Sequence, residues 1–257
     1  MARYKVGVQV EPQHCSMADL RDAWRRADRM GADSIWTWDH FFPLWGGDMD
    51  GEHYEGWSQV AAMACDTERA AIGALVSCNS YRNADLVADM ARTIDHLSGG
   101  RVILAIGAGW NERDYAEYGY AFGTSRTRLE ALERGIERMK ARIARLNPPP
   151  LGPLPLLIGG DGEQVTLRLA ARHADMWNGF GPVGVFTRKN EVLDRWCAEV
   201  GRDPSEIERT VLLRDGETVD DVPGYLDAGA QHLILPVHAP FDLSGLEAFI
   251  TDAHGEG

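Results

Sequence analysis

The chain has 257 residues, 44% of them hydrophobic and 25% charged, which is the composition of an ordinary globular protein. Its formal net charge of −13 argues against a nucleic-acid partner, because contacts with phosphates require a basic face. The sequence has no run of about 20 apolar residues, which excludes a membrane span, and its first ten residues carry no export signal.

The cysteines and histidines indicate neither a disulfide framework nor a metal site. No pair of histidines has H-x-H or H-E-x-x-H spacing, so a metal-dependent hydrolase has little support and no metal is expected. The cysteines are scattered and form no C-x-x-C pair, which predicts reduced thiols and a cytoplasmic location. They are Cys15, Cys65, Cys78 and Cys197.

The first elements of the chain alternate between strand and helix. The valine-rich stretch "YKVGVQV" predicts a short buried strand. Ser16, with Asp19 three residues later, predicts the start of a helix that ends at Gly31. Ser34–Trp38 is the second predicted strand, and Trp57–Cys65 is a short helix.

The same alternation continues to the end of the chain. Ala70–Val76 and "RVILAIG" are the third and fourth strands, separated by a helix that ends at Gly99–Gly100. A long amphipathic helix over residues 129–146 ends before three prolines, and a short connection then leads to the fifth strand. The runs "LPLLIGG", "DMWNGF", "RTVLLR" and "HLILPV" complete eight strand–helix units. Apolar strands joined by helices predict a single (β/α)8 TIM barrel domain over residues 1–257.

In such a barrel the carboxyl ends of the strands carry the chemistry. Asp39 and His40 follow the second strand, where a histidine can act as an acid or base near neutral pH. The pair alone fits equally a capping aspartate beside a histidine bonded to backbone. Only other motifs at neighbouring strand ends can favour the catalytic interpretation.

Two glycine-rich stretches follow the fourth and fifth strands. In "IGAGWNE", Gly107 and Gly109 permit close approach of a planar ligand and Trp110 offers a stacking face, although a tight turn fits as well. In "IGGDGEQ", three glycines before a helix from about Glu163 are typical of a phosphate cradle, with Asn178 and Gly179 as further donors. The glycines are Gly159, Gly160 and Gly162. The usual barrel phosphate site follows strands seven and eight, so this one is displaced.

These stretches together resemble the luciferase-like monooxygenase family, in the branch that uses the deazaflavin coenzyme F420. The resemblance rests on "WTWDHFFP", "SYRNADLVADMARTIDHLSGGRVILAIGAGWNERDYAEYGY" and "PLLIGGDGEQVTLRLAARHADMWN", in that order. It extends from the first strand to about Phe180. The order of the motifs is far more diagnostic than any one of them.

The resemblance implies a role for each matching residue. Asp39 would lie beside the deazaflavin, and His40 would be the acid or base. A non-prolyl cis peptide would back the ring at Ala74-Leu75, with Ser77 close by. The loop after the fourth strand would line the ring or its ribityl chain, and the second glycine stretch would take the phosphate. The residues that would line the ring or its ribityl chain are Gly107, Ala108, Gly109 and Asn111. Those that would hold the phosphate are Gly159, Gly160, Gly162, Glu163, Gln164, Asn178 and Gly179.

Two departures from the family pattern bear on the substrate. Sugar-phosphate dehydrogenases of the family carry a catalytic glutamate in the strand-four loop, where this chain has Trp110 and its nearby acid is Glu112. The connection between the fourth helix and the fifth strand is also short, and relatives use a longer one to cover the active site. This second departure predicts a more open pocket, or one closed by a partner subunit.

Three functions remain open at this point. The main hypothesis is an F420-dependent oxidoreductase acting on an apolar or aromatic substrate, with His40 as acid or base, walled by Trp38, Trp45, Trp110 and Phe180. The alternatives are an FMN-dependent monooxygenase that uses O2 and a flavin reductase, and a non-catalytic cofactor-binding paralogue. A reductase or dehydrogenase would supply the reduced cofactor. The resemblance also implies a homodimer, in which the helix after the third strand would serve either as the interface or as ordinary barrel packing.

Overall fold

A computed structural model describes residues 2–255 as nine parallel strands and the helices that connect them. The strands are β1 (Lys5–Val10), β2 (Ser34–Thr37), β3 (Ala71–Ala74), β4 (Ser77–Cys78), β5 (Leu104–Gly107), β6 (Leu156–Gly159), β7 (Met176–Phe180), β8 (Glu208–Leu212) and β9 (His232–Val237). Their order in the sheet is β3-β2-β1-β9-β8-β7-β6-β5-β4. The strands at the two ends of this order, β3 and β4, follow each other directly along the chain.

The third barrel strand is therefore present in two segments, and the barrel closes through it. β3 pairs with β2, and β4 pairs with β5. Between these ladders, Ile72 donates its N–H to Arg101 and accepts one from Ile103, so β3 also contacts the next strand. The predicted (β/α)8 barrel is confirmed, with nine strand segments because one of its eight strands is broken.

The helices cover the outside of the barrel. Ser16 and Asp19 form the predicted capping box at the start of α1, and Gly31 ends it with a φ of 101°. The helices are α1 (Met17–Met30), α2 (Gly56–Asp66), α3 (Ala84–Ser98), α4 (Glu112–Glu117), α5 (Ser125–Ile143), α6 (Thr166–His173), α7 (Val183–Val200), α8 (Val222–Asp227) and α9 (Ser244–His254). Among residues 2–255, no helix is both long and apolar enough to cross a bilayer.

Two layers of apolar side chains form the core. The larger lies between the strands and the helices and includes Trp24, Ile35 and Phe186. The smaller layer consists of buried side chains from the strands and from residues next to them. It fills the interior of the barrel. Its members are Trp36, Leu75, Ile103, Ala105, Leu157, Met176 and Ile234.

Helix α3 buries one face and exposes the other. Val87, Ala91 and Ile94 pack in the core, whereas Leu86 and Leu97 are exposed. Part of this apolar helix therefore serves barrel packing. Its use as a dimer interface stays a prediction.

The short connection from α5 to β6 lies at the amino-terminal end of the barrel. The buried carboxylate of Asp95 accepts hydrogen bonds from the N–H groups of Leu151 and Gly152, at 2.7 and 2.9 Å. This end is opposite to the carboxyl ends of the strands. The connection itself therefore does not cover the mouth of the barrel, and an open pocket or one closed by a partner subunit stays a prediction.

Arg101 joins three elements at the same end of the barrel. Its guanidinium donates to the carbonyls of Ser98, Ala70, Thr67 and Ala64, at 2.7–3.1 Å, and to the Thr67 hydroxyl at 2.8 Å. These acceptors belong to the end of α3, the start of β3 and the end of α2. The arginine of "LSGGR" is therefore a structural residue that ties helix ends to the sheet.

Replacing Arg101 with methionine should lower the free energy of unfolding by about 2–3 kcal/mol, because several carbonyl acceptors lose their donor together. Urea denaturation followed by circular dichroism measures this change. Arg126→Met is the matched control, since Arg126 forms an exposed ion pair with Glu130 and its replacement should leave the midpoint almost unchanged. Equal midpoints for both variants would contradict this role of Arg101.

Candidate active site at the carboxyl ends of the strands

Asp39 lies just beyond β2 and is buried. Its Oδ2 accepts hydrogen bonds from the Cys78 N–H at 2.9 Å and from the Arg82 guanidinium at 2.7 Å. Arg82 also pairs with Glu55, the residue that caps α2. Burial raises the pKa of the Asp39 carboxyl, and the Arg82 charge opposes that rise. Asp39 therefore links β2, β4 and the start of α2.

Two buried oxygens beside the break in the third strand have no protein partner. Within residues 2–255, Asp39 Oδ1 and Ser77 Oγ are enclosed and make no hydrogen bond. Buried polar atoms are nearly always bonded, so each is a place for a ligand donor or acceptor. Both residues were predicted from the sequence as cofactor contacts.

The cis peptide lies one residue later than predicted, at Leu75-Val76 rather than at Ala74-Leu75. Ala74 and Leu75 are buried. The Leu75 carbonyl accepts a hydrogen bond from Gln9 on β1, at 3.0 Å across the barrel interior. The break in the strand is therefore attached to β1, which lies on the far side of β2.

His40 forms a close pair with Asp114, a residue that the sequence did not single out. His40 Nδ1 lies 2.6 Å from Asp114 Oδ2. The Asp114 side chain is fully buried, whereas the His40 side chain is 16% exposed. Asp114 lies on α4, two residues after Glu112, the acid that the sequence pointed to in this loop. Its only sequence signal was its place in the helix that follows "GAGWN".

The "YRN" motif contributes three separate contacts to this region. The Tyr81 hydroxyl donates to Asp114 Oδ2 at 2.9 Å, and Arg82 pairs with Asp39. Asn83 caps α3 by accepting the N–H of Asp85. The motif therefore connects both members of the Asp39-His40 pair to the start of α3.

Three aromatic side chains border the mouth of the barrel. Trp45, Trp110 and Phe180 are 47%, 63% and 37% exposed, and the Trp110 ring lies 5.3 Å from the His40 ring. Their use as a substrate wall stays a prediction. Trp38 is not part of this exposed surface, because it is only 3% exposed and packs behind Trp45 and against His53. Trp38 supports the wall without forming its surface.

The loop that carries Trp45 is fixed from the β1 side. The Gln13 side chain accepts the Leu44 N–H and donates to the Trp45 carbonyl, at 2.9 and 3.1 Å. The Trp45 indole donates to Glu11, a buried carboxylate that follows β1. Burial raises the pKa of Glu11, opposed by His238 at 3.5 Å. Sequence analysis missed Glu11, whose position directly after β1 was the available signal.

The glycines at the ends of β5 and β6 serve close packing. A Cβ at Gly107 or Gly159 would lie 2.7 or 2.6 Å from the Val76 side chain. Gly109, at a φ of 80°, faces Tyr115 and Cys78 in the same way. Asn111 caps α4, and the Ala108 carbonyl accepts the Tyr115 hydroxyl at 3.4 Å. These residues shape the mouth of the barrel, and the contacts described here are all with other residues of the protein.

The turn after β6 leaves a row of backbone donors free. Helix α6 begins at Thr166, three residues later than predicted, so residues 161–165 form a turn. Within the described part of the chain, 2–255, the N–H groups of this turn donate to no backbone acceptor. A Cβ at Gly162 would lie 2.9 Å from the Thr166 hydroxyl, so a side chain would fill the concavity. This geometry suits an oxyanion.

Asn178 and Gly179 do not add the donors that were predicted. The Asn178 amide is buried in the barrel, where it donates to the Gly179 carbonyl and accepts the Thr210 hydroxyl at 2.8 Å. Gly179 faces the rings of Trp177 and Phe186. The strand alternation turns the Asn178 side chain away from the turn.

Helix α7 supplies the other side of this turn. Lys189 donates to Glu163 at 2.9 Å and lies 3.8 Å from Asp161, and Trp196 donates to the Glu163 carbonyl at 2.7 Å. The Lys189 ion pair lowers the pKa of Glu163. Gln164, at the tip of the turn, is exposed. Of the predicted phosphate residues, the structure brings together Gly160, Gly162, Glu163 and Gln164.

Comparisons with known proteins identify the family and the fold. A family model described as "Luciferase-like monooxygenase" matches residues 1–214. An F420-dependent glucose-6-phosphate dehydrogenase of Amycolatopsis mediterranei is 32% identical over 139 residues, which cover 53% of this chain and 40% of the relative.

Two solved structures have the same fold. An F420-dependent secondary alcohol dehydrogenase, in complex with an F420-acetone adduct, matches with a TM-score of 0.86 at 16% identity, covering 99% of this chain and 100% of that one. The FMN-bound oxygenating constituent of 3,6-diketocamphane monooxygenase from Pseudomonas putida matches at 0.76 and 14% identity, covering 98% of each chain.

His53 should make stability fall as the pH drops below neutrality. Burial and the nearby His40 lower its pKa from 6.5 to about 4, so between these values the unfolded chain binds a proton that the folded protein does not. The free energy of unfolding should therefore fall by roughly 2 kcal/mol from pH 6.5 to pH 4 through this group. His53→Gln should reduce this loss, and His254→Gln, at an exposed position, should not. Parallel stability curves for the wild type and both variants would contradict it.

Proposed function

Because this chain belongs to the luciferase-like monooxygenase family, we propose that it transfers a hydride between a deazaflavin, coenzyme F420, and a small uncharged organic substrate. When bound, the deazaflavin would supply the hydride acceptor or donor. The F420-dependent relative and the F420-bound structural neighbour support this choice of cofactor.

The observation that carries the proposal is the pair of orphaned buried oxygens. Asp39 Oδ1 and Ser77 Oγ lie beside the break in the third barrel strand, and within residues 2–255 neither has a hydrogen-bonding partner, so each is open to one from a cofactor. The heterocyclic edge of a flavin-like ring carries donors and acceptors of this kind. The donor row at residues 161–165 lies on the same face of the barrel and suits the phosphate. The residues present therefore fit such a cofactor.

His40 would handle the proton. Its ring is partly exposed at the mouth, between the Trp38 and Trp110 rings, and its other contacts fix it from behind. A histidine placed in this way contributes about 10²–10⁴-fold to a proton-transfer step.

The charged side chains at the mouth are paired within the protein, which favours an uncharged substrate. Arg82 is paired with Asp39 and Glu55, and Arg113 is paired with Asp50 and stacked on Phe42. Arg128 donates to the Gly109 and Phe122 carbonyls. These arginines are already engaged, so the exposed tryptophans Trp45 and Trp110 are left as the principal contact surface for a substrate.

A second candidate is an FMN-dependent monooxygenase that receives reduced flavin from a reductase. The FMN-bound structural neighbour favours it, and the same turn would hold the phosphate of FMN. Binding measurements with both cofactors separate the two candidates.

We predict that the protein binds F420 more tightly than FMN, and more tightly than the deazaflavin chromophore without its phosphate-containing tail. Fluorescence titration of the three compounds measures the dissociation constants. Gly162→Ala, which fills the concavity, should weaken F420 binding about tenfold and leave binding of the tail-free chromophore unchanged. Gly184→Ala is the matched control, because a Cβ there meets nothing within 4 Å. Absence of binding by all three compounds would disprove the proposed function, and tighter FMN binding would favour the monooxygenase.

His40→Ala should reduce kcat at least about 100-fold with a substrate accepted by the wild type, because the proton loses its acceptor or donor. The dissociation constant for F420 should change less than threefold, as ~3-fold is the scale of a lost peripheral contact. Unchanged turnover in this variant would exclude His40 as the acid or base and would favour a non-catalytic cofactor-binding protein if no substrate is found.

A further inference from the structure

We propose that Asp114 is the positioning residue of the proton-transfer site: it holds His40 in the Nδ1–H tautomer, so that Nε2 exchanges the proton with the substrate. The use of that proton rests on the proposed function. The tautomer itself is a property of this chain and needs no cofactor.

The short contact fixes which atom carries the hydrogen. His40 Nδ1 and Asp114 Oδ2 are 2.6 Å apart, and an ionised carboxylate can only accept a hydrogen bond. The hydrogen must then lie on Nδ1, which leaves the lone pair of the neutral ring on Nε2. The ring is held in place by its edge contacts with Trp38 and Trp110, at 5.9 and 5.3 Å.

Other donors keep Asp114 ionised although it is buried. The Phe41 N–H donates to Oδ1 at 3.1 Å, and the Tyr81 hydroxyl donates to Oδ2 at 2.9 Å. Burial alone would raise the pKa of Asp114, but these hydrogen bonds, together with His40, hold it below its ordinary value. Burial also raises the pKa of Tyr81, so this phenol remains a donor.

No fixed cation neutralises Asp114. In the described range 2–255, neither lysine nor arginine lies within ion-pair distance of it, and His40 is its one basic partner. The other titratable groups around the pair are Tyr81, Tyr115 and Cys78 on one side and His53 and His14 on the other. When a substrate hydroxyl gives its proton to Nε2, the ring becomes a cation directly beside a carboxylate. Asp114 is then its counter-charge.

An asparagine at position 114 should reverse the tautomer. The backbone N–H of Phe41 cannot turn, so the amide oxygen must take the place of Oδ1. The amide NH2 then takes the place of Oδ2 and donates one hydrogen to His40 Nδ1 and one to the Tyr81 oxygen. This forces the hydrogen of His40 onto Nε2, where it blocks proton acceptance.

Nitrogen NMR of ¹⁵N-histidine-labelled protein without cofactor tests this proposal. The wild type should show His40 with the hydrogen on Nδ1, and Asp114→Asn should show it on Nε2. Tyr81→Phe removes a donor but keeps the carboxylate, so its tautomer should match the wild type, which a general loss of structure would not produce. A wild-type ring with the hydrogen on Nε2, or an unchanged tautomer in Asp114→Asn, overturns the proposal. Should Asp114→Asn fail to fold, the wild type and Asp114→Glu, which keeps a carboxylate acceptor, decide the question alone.

Kinetics give a second, separate result. Asp114→Asn should lower kcat about 10²–10⁴-fold while KM and the dissociation constant for F420 stay within about threefold, and Asp114→Glu should restore part of the loss. Equal losses in kcat and cofactor affinity would assign Asp114 a merely structural role. A wild type that shows the Nδ1–H tautomer but binds no cofactor would disprove the proposed function and leave the role of Asp114 intact.

Discussion

The buried ion pair between Asp39 and Arg82 is the interaction on which the geometry of the mouth depends. It joins the end of β2 to the segment before α3, and through Glu55 it reaches the start of α2. Removing one member of such a pair leaves an uncompensated buried charge, which typically costs about 3–5 kcal/mol. His40 follows Asp39 directly in sequence. The Asp39–Arg82 pair therefore helps to set the distance between His40 and Asp114, although His40 takes no part in that pair.

Acidic side chains tie elements together at both ends of the barrel. At the amino-terminal end, carboxylates accept backbone N–H groups: Asp33 accepts that of Val6 and Asp175 that of Leu156, at 2.7 and 2.8 Å. These bonds satisfy donors in the first two residues of a strand and serve stability. At the carboxyl end, Asp39, Asp114 and Glu11 each face a basic side chain. Asp39 and Asp114 also accept the N–H groups of Cys78 and Phe41, and at the amino-terminal end Glu208 pairs with Lys5 and His232, so both ends combine the two kinds of contact.

The sequence allowed the barrel and one member of the His40-Asp114 pair to be predicted. Periodicity and capping residues are local signals, so the eight units, the capping box of α1 and the position of His40 could all be derived from neighbouring residues. Asp114 could not, because its contact with His40 joins residues 74 positions apart and no motif marks it. The contact of Asn178 with Thr210 could not be predicted either, because it joins residues 32 positions apart on neighbouring strands. The start of α6 was placed too early because glycines permit both a turn and a helix entry.

The loop that bears Trp45 is attached on both sides, by Gln13 from β1 and by Arg113 from α4, which binds the Met49 carbonyl and Asp50. Trp45 and Trp110, the two exposed tryptophans at the mouth, differ in how they are attached to the rest of the protein. Trp45 is bonded to Glu11, so its exchange would disturb the anchoring of the loop. Trp110 extends into solvent from the start of α4. A change in side-chain size at position 110 would therefore leave the attachment of the Trp45 loop intact and would act on His40 through their edge contact alone.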